Sequence, residues 1–260
     1  QDYYEQMHRH LTDLGVRIPI AGTNWVRGGA ASLEAQRRLP FMDSHTYFYN
    51  WGWKPDVKEV KTDSMLGHVD PWYGSLLLMR TLDRPFFVSE WDDPWPNEWR
   101  AESVLNLAAV SALQGWSGAA IHTYRYDCRE ASDMIAMPIT SDALAGVPYR
   151  GGVFDTFNDP AKFGLFYHAA ILLRRGDVRE STGDMEVALP GLCAPRVGAE
   201  PGGVAPIDNG HCPALRGAAE VGRIGMRLPG APALAPRQLA LDERVVAEDA
   251  AEIRSDTGEL

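Results

Sequence analysis

The chain has 260 residues, 45% of them hydrophobic, and a formal net charge of −10 from 35 acidic and 25 basic side chains. That is enough apolar material for a sizeable core, and so acidic a balance leaves no electrostatic footprint for nucleic acid. No apolar run approaches the roughly 18 residues of a membrane span, and Cys128, Cys193 and Cys212 have neither zinc-site spacing nor the even number of a disulfide framework; a neutral or weakly charged substrate fits best.

Residues 3–14 place Tyr4, Met7, Leu11 and Leu14 at helical spacing, and Gly15 stops the helix. Because the chain opens on Gln1 and this helix does not read as a signal peptide, the natural N-terminus is expected upstream. Residues 16–22 read as a strand and residues 38–44 as a second short apolar run. Residues 75–82 read as a helix leading into a strand at 85–89. Asn97 is placed to cap a long helix over 98–114, which Gly115 ends. A further strand follows at 118–122. Asp159 and Pro160 open a last helix that runs through Phe163, Phe166, Ala170 and Leu173 to Gly176.

Every Phe, Trp and Tyr lies at or before Tyr167, and residues 190–236 hold eight prolines and nine glycines. Such a composition suits neither regular helix nor central strand, so this stretch reads as loop-rich. The strand starts near 18, 41, 86 and 118 have the spacing of half a (β/α)8 TIM barrel, strands five to eight, within an α/β chain. The interval between the second and third strands leaves room for an enlarged loop carrying Trp51, Trp53 and Trp72, and long loops at strand ends are where binding is built.

Each strand ends in polar or aromatic residues. The first ends in Asn24 and Trp25, the second in Asp43, His45 and Tyr47, the third in Glu90 and Trp91, and the fourth in His122, Tyr124 and Tyr126. Glu90 carries the most information, because a carboxylate closing an apolar strand is costly to bury unless something pairs or uses it. Trp91, Trp95 and Trp99 follow at once, a density that suggests platforms for sugar rings. Asn24 is either a turn residue or a donor to a sugar hydroxyl. His45 fits a satisfied core histidine, and beside Tyr47 with no matching His-x-His it fits substrate hydrogen bonding better than metal binding. His8 and His10, two apart on a helix, do not face each other. Trp116 reads as core, while Arg100 and Glu102 read as a solvated helix face. Asp92 and Asp93 fit hydroxyl binding or helix capping, and Glu98 a helix first turn.

These strand ends resemble the retaining glycoside hydrolases of clan A, the 4/7 superfamily of (β/α)8 barrels that includes cellulases, mannanases and β-galactosidases. The match covers residues 1–177 as the second half of the barrel. The segment Phe86-Phe-Val-Ser-Glu90-Trp91 is similar to their strand seven, His45-Thr-Tyr47 to their strand six, and residues 18–24 to strand five of the β-galactosidase-like members. Residues 178–260 would then be a Gly/Pro-rich linker followed by the start of a C-terminal β-domain at 255–260. The resemblance implies hydrolysis of a β-linked saccharide by double displacement. Glu90 would be the nucleophile, held by a hydrogen bond from Tyr47. Asn24, Trp25, His45, Trp91, Trp95, Trp99, Tyr124 and Tyr126 would contact an oligosaccharide or polysaccharide. No cofactor or metal is needed. Where the clan has a strand-eight tryptophan, this chain has Tyr124 or Tyr126.

Retention needs two carboxyls about 5–5.5 Å apart. The clan's acid/base is the Glu of an Asn-Glu pair ending strand four, which would lie before Gln1, so residues 1–260 alone are expected to be inactive. Two other classes fit the same residues. One is a carbohydrate-binding protein in which Glu90 only accepts hydrogen bonds, and the other is a metal-dependent hydrolase using Asp43, His45 and His122.

Overall fold

The computed structural model describes residues 2–24, 29–48, 62–66, 74–125, 153–157, 159–188, 217–228, 237–239, 243–247 and 249–260. Helix α1 (Asp2–Asp13) carries Asp2 and Glu5 in its first turn and His10 in its last, charges that suit the helix dipole. Gly15, at φ 96°, closes it, with the Val16 amide donating back to the Leu11 carbonyl at 3.0 Å. None of its side chains is buried, and Tyr3, Met7 and Leu14 are exposed. Residues 16–22, expected as a strand, join no ladder. Pro19 has no amide to donate, Ile18 is exposed, and no strand runs alongside among the described residues.

Helix α2 (Gly29–Gln36) leads to strand β1 (Met42–Tyr47), which begins later than its apolar run suggested. Leu39 is still in the turn after α2, its amide bonded to the Gln36 carbonyl at 2.8 Å. After the short helix α3 (Gly74–Leu77), β2 (Phe86–Asp92) and β3 (Gly118–Ile121) complete a parallel three-stranded sheet in the order β1-β2-β3. No strand among the described residues closes this sheet into a barrel. Between β2 and β3 lies α4 (Glu102–Gln114), whose Val104, Leu107, Ala108 and Val110 pack with Phe86, Val88 and Trp116 in the core. This helix starts four residues after the expected position. Residues 98–101 instead form turns, and Asn97 Oδ1 accepts from the Trp99 amide at 3.0 Å.

The register of β1 against β2 contains a shift that governs the site. Ser44 lies opposite Val88 and His45 opposite Glu90, so Ser89 is an extra residue in β2. Such a bulge reverses which way the following side chains point. Phe86 and Val88 face the core; without the bulge Glu90 would share their side. With it, Glu90 is half-buried beside His45 and Tyr47, and Trp91 turns into the core, 3% exposed and stacked on Phe166 at 6.1 Å.

The last expected helix divides in two. Asp159 caps α5 (Pro160–Phe163) through the Ala161 amide at 3.2 Å, and α6 (Phe166–Arg175) follows after a turn at 164–165, ending at left-handed Gly176. Beyond it, β4 (Met185–Ala188), the short helix α7 (Ala218–Val221), β5 (Ile224–Arg227) and β6 (Arg237–Leu239) form a second, wholly parallel sheet in the order β5-β4-β6. Thus α7 and β5 lie inside the stretch 190–236 that composition marked as loop; the rest of that stretch, apart from residue 217, residues 222–223 and Leu228, lies outside the described residues. Met185, Val187, Ile224, Met226 and Leu239 share one core with the first sheet. The buried Gln114 joins the two: its amide donates to the Ala219 and Gly222 carbonyls at 2.8 and 2.6 Å and accepts from the Ile224 amide at 3.1 Å.

Residues 255–260, expected to open a β-domain, form no strand. They make a turn docked on residues 179–183, with Asp256 Oδ2 accepting from Ser181 Oγ and the Gly183 amide, both at 2.8 Å. Among the described residues no helix is long and apolar enough to cross a membrane.

Candidate functional site

Parallel strands bring their C-terminal ends to one edge, the position where α/β proteins collect ligand-binding groups. At that edge the phenol of Tyr47 donates to Glu90 Oε2 and the side-chain amide of Asn24 donates to Glu90 Oε1 at 3.3 Å. The same Asn24 nitrogen lies 3.1 Å from Ser89 Oγ. Thus three segments distant in sequence converge on one carboxylate. His45 is the register partner of Glu90 across β1 and β2, with its ring centroid 6.0 Å from that of Tyr47. His122, at the end of β3, stands edge-on to Tyr47 at 6.0 Å.

Burial holds the His122 imidazole below its ordinary pKa; the charge of Glu90 works against this and His45 adds to it. His122 is therefore a neutral hydrogen-bonding ring at neutral pH. The Asp43 carboxyl is raised by burial and partly restored by hydrogen bonds, first from the Ser89 side chain and then from the Ser89 amide, which donates to Asp43 Oδ1 at 3.1 Å. Asp43 thus holds the backbone of the bulge. Among the described residues no group of three or more His, Cys, Asp and Glu side chains is placed to share a metal ion, so Asp43, His45 and His122 are not assembled as the metal-dependent alternative requires.

The aromatic candidates separate. Trp91 belongs to the core, as a consequence of the bulge, and does not form a platform. Trp95 is half-buried, its amide bonded to the Val153 carbonyl at 3.0 Å, and Trp99 is 49% exposed on the turn before α4. Tyr124 is 62% exposed, with its ring against Phe157 and Phe163. Trp25 and Tyr126 lie outside the described residues, as do Trp51, Trp53, Trp72, His68 and all three cysteines. Phe154 was not anticipated. It is 4% exposed, and its ring lies 5.3 Å from both Tyr47 and His122, forming one wall of the site. It belongs to residues 153–157, which bond to the Trp95, Thr123 and Tyr124 backbones without forming helix or strand. Periodicity offers no signal for such a segment.

Behind the rim lies a buried ionic network that corrects several expectations. Asp92 and Lys162, both fully buried, pair at 2.8 Å. Arg100, expected on a solvated face, pairs with fully buried Asp159 at 2.6 Å. Glu102, expected on the same face, accepts from Ser64 Oγ at 2.8 Å and from the Met65 amide at 3.0 Å. Asp93 is fully buried, both its oxygens accepting from the Asn97 amide at 3.0 and 3.1 Å. Burial, opposed by the Asn97 hydrogen bond and reinforced by Asp92, pushes Asp93 up to about 8. Two cations and two anions therefore pair off while Asp93 stays protonated near neutrality.

A carboxyl whose pKa is raised by folding favours the native state most below its unfolded pKa, and this contribution is lost as pH rises through the folded value. Between pH 5 and 9 the protein should lose stability relative to Asp93→Asn, which is neutral throughout. Urea unfolding at pH 5, 7 and 9 checks this. Parallel pH profiles for the two proteins would show that Asp93 does not titrate with folding.

No protein-family model, no curated protein and no solved structure matches this chain.

Proposed function

We propose that this chain forms the nucleophile half of a retaining glycosidase acting on a β-linked saccharide, with the architecture of a partial (β/α)8 barrel. One observation carries the reading: Glu90, at the C-terminal end of a parallel strand, receives the Tyr47 phenol on one oxygen and the Asn24 amide on the other. A carboxylate held this way keeps its orientation. In the first step the freer oxygen, Oε1, forms a bond to the anomeric carbon while the bond to the leaving oxygen breaks. A second carboxyl protonates that oxygen, and water later hydrolyses the glycosyl ester.

The second carboxyl is not among the described acids that flank Glu90 in sequence. The acids nearest in sequence have other roles, since Asp92 is locked to Lys162 and Asp93 to Asn97, while Glu98 is exposed on the turn before α4. His45 and His122 supply hydrogen-bonding edges beside the nucleophile, Phe154 is an apolar wall 5.3 Å from His122, and Trp95 and Trp99 are proposed as further sugar platforms. No cofactor enters this chemistry. The test is covalent: a 2-deoxy-2-fluoro glycoside with an activated leaving group, incubated with the full-length protein, should leave its sugar on the peptide containing Glu90. Saturable sugar binding with no labelled peptide would instead favour the carbohydrate-binding alternative.

A further inference from the structure

We infer that Asp43 is a positioning residue that acts on Glu90 through the β-bulge at Ser89; the inference rests on the assignment of Glu90 as nucleophile. A bulge leaves the extra residue without its ladder partner, and an amide so released has to be satisfied in another way. Here the Ser89 amide donates to Asp43 Oδ1 at 3.1 Å, and the Ser89 hydroxyl accepts from Asn24 at 3.1 Å. Asp43 is itself fixed, since its amide donates at 3.2 Å to Oε1 of the fully buried Gln36. A path of hydrogen bonds thus runs from the end of α2 through β1 to the residue that immediately precedes Glu90.

The consequence lies in orientation. With Ser89 held out of the ladder, Glu90 faces Tyr47, Asn24, His45 and His122, and Trp91 enters the core. If the Ser89 amide re-entered the ladder, strict alternation would carry Glu90 toward the side of Phe86 and Val88. Asp43 need only accept a hydrogen bond to prevent this. Its charge and its proton play no part in the chemistry, a role different from that of a metal ligand or a general acid.

The experiment compares Asp43→Ala, Asp43→Val and Asp43→Asn in the full-length protein. Asparagine keeps an acceptor at Oδ1, alanine removes it, and valine removes it while favouring the strand should the alanine variant not fold. Two quantities are read: steady-state kinetics on an aryl glycoside, and hydrogen exchange of the Ser89 amide. The alanine and valine variants should lose Ser89 protection and on the order of 10²-fold in kcat, with KM changed far less, the cost of a small misplacement of a reacting group. Asp43→Asn should restore most of both.

Two results overturn the inference. One is unchanged kcat in a variant whose Ser89 amide has lost protection. The other is Asp43→Asn losing as much kcat as Asp43→Ala while Ser89 stays protected, which would mean that the carboxyl itself takes part. Failure of the nucleophile assignment is distinguishable, because it would appear as turnover persisting in Glu90→Gln whatever the exchange of Ser89.

Discussion

Glu90→Gln in the full-length protein should reduce turnover of an aryl β-glycoside by on the order of 10⁴-fold or more, the scale on which removal of a nucleophile from an interdependent set of catalytic groups is felt. The substitution is nearly isosteric and keeps one acceptor oxygen, which can serve the Tyr47 phenol while the Asn24 amide loses its partner. It removes the charge that the proposed mechanism directs at the anomeric carbon. Binding of the sugar should therefore persist while chemistry stops. A second arm makes the loss specific. In Glu90→Ala the space left by the carboxylate can admit azide, which would attack the anomeric carbon directly. A β-glycoside should then yield the α-glycosyl azide, with inverted configuration, because one displacement replaces two. Glu90→Gln retaining more than about a tenth of wild-type kcat would end the assignment.

Lys162→Met should be the most damaging substitution for stability among those the buried network invites. Lys162 Nζ donates to Asp92 Oδ1 at 2.8 Å and Oδ2 at 3.0 Å, and both side chains are fully buried. Methionine fills the stem's volume but leaves the carboxylate uncompensated, a change that typically costs about 3–5 kcal/mol. For a chain of this size that is roughly a 10 °C fall in Tm.

The pH dependence identifies the cause. Burial already raises Asp92 to about 6 against the opposing charge and hydrogen bond of Lys162. Without the lysine the carboxyl would take up its proton at still higher pH. In both proteins Asp92 is neutral in sufficiently acid solution, so the difference between them should shrink as pH falls through about 6 and be largest above it. Thermal unfolding at pH 4.5 and 7.5 measures this; a deficit equal at both pH values would point to packing instead of charge. Asp92→Asn combined with Lys162→Met should recover part of the loss, since it removes the orphaned charge.

Parts of this arrangement were legible from residue order. The apolar run ending in Glu90, the left-handed stop at Gly115 and the Asp159-Pro160 cap each depend on local chemistry, and each holds in the structure. The meeting of Tyr47 and Glu90 suits their places on neighbouring parallel strands, whereas Asn24 reaches Glu90 although the strand expected to carry it does not form. What escaped was non-local or aperiodic. The Ser89 bulge is a single added residue, which leaves no mark in a seven-residue segment, and it carries Trp91, expected to line a cleft, into the core.

Arg100 and Glu102 have the spacing and charge of a solvated helix turn. Only the arrival of Asp159 from α5 and of residues 64–66 from a distant loop makes them structural. Strands β4, β5 and β6 are three or four residues long and are separated by stretches rich in glycine and proline. They are recognisable only once paired. Phe154 lies in a segment without regular structure, where no period exists to read.

The hydrogen bonds of Gln114 bear on how the chain can be divided. A boundary near residue 178 looks natural from composition, because the aromatic residues stop just before it. Yet one side chain at the end of α4 supplies the partners of two carbonyls and an amide in the segment from 219 to 224, and the apolar interior is continuous across the boundary. The two halves therefore lack the independent cores that modular units possess. Cutting or grafting the chain at that point would open one hydrophobic interior to water and strand buried polar groups on both sides, so the second sheet is inherited with the edge that carries Glu90 and is not a detachable accessory.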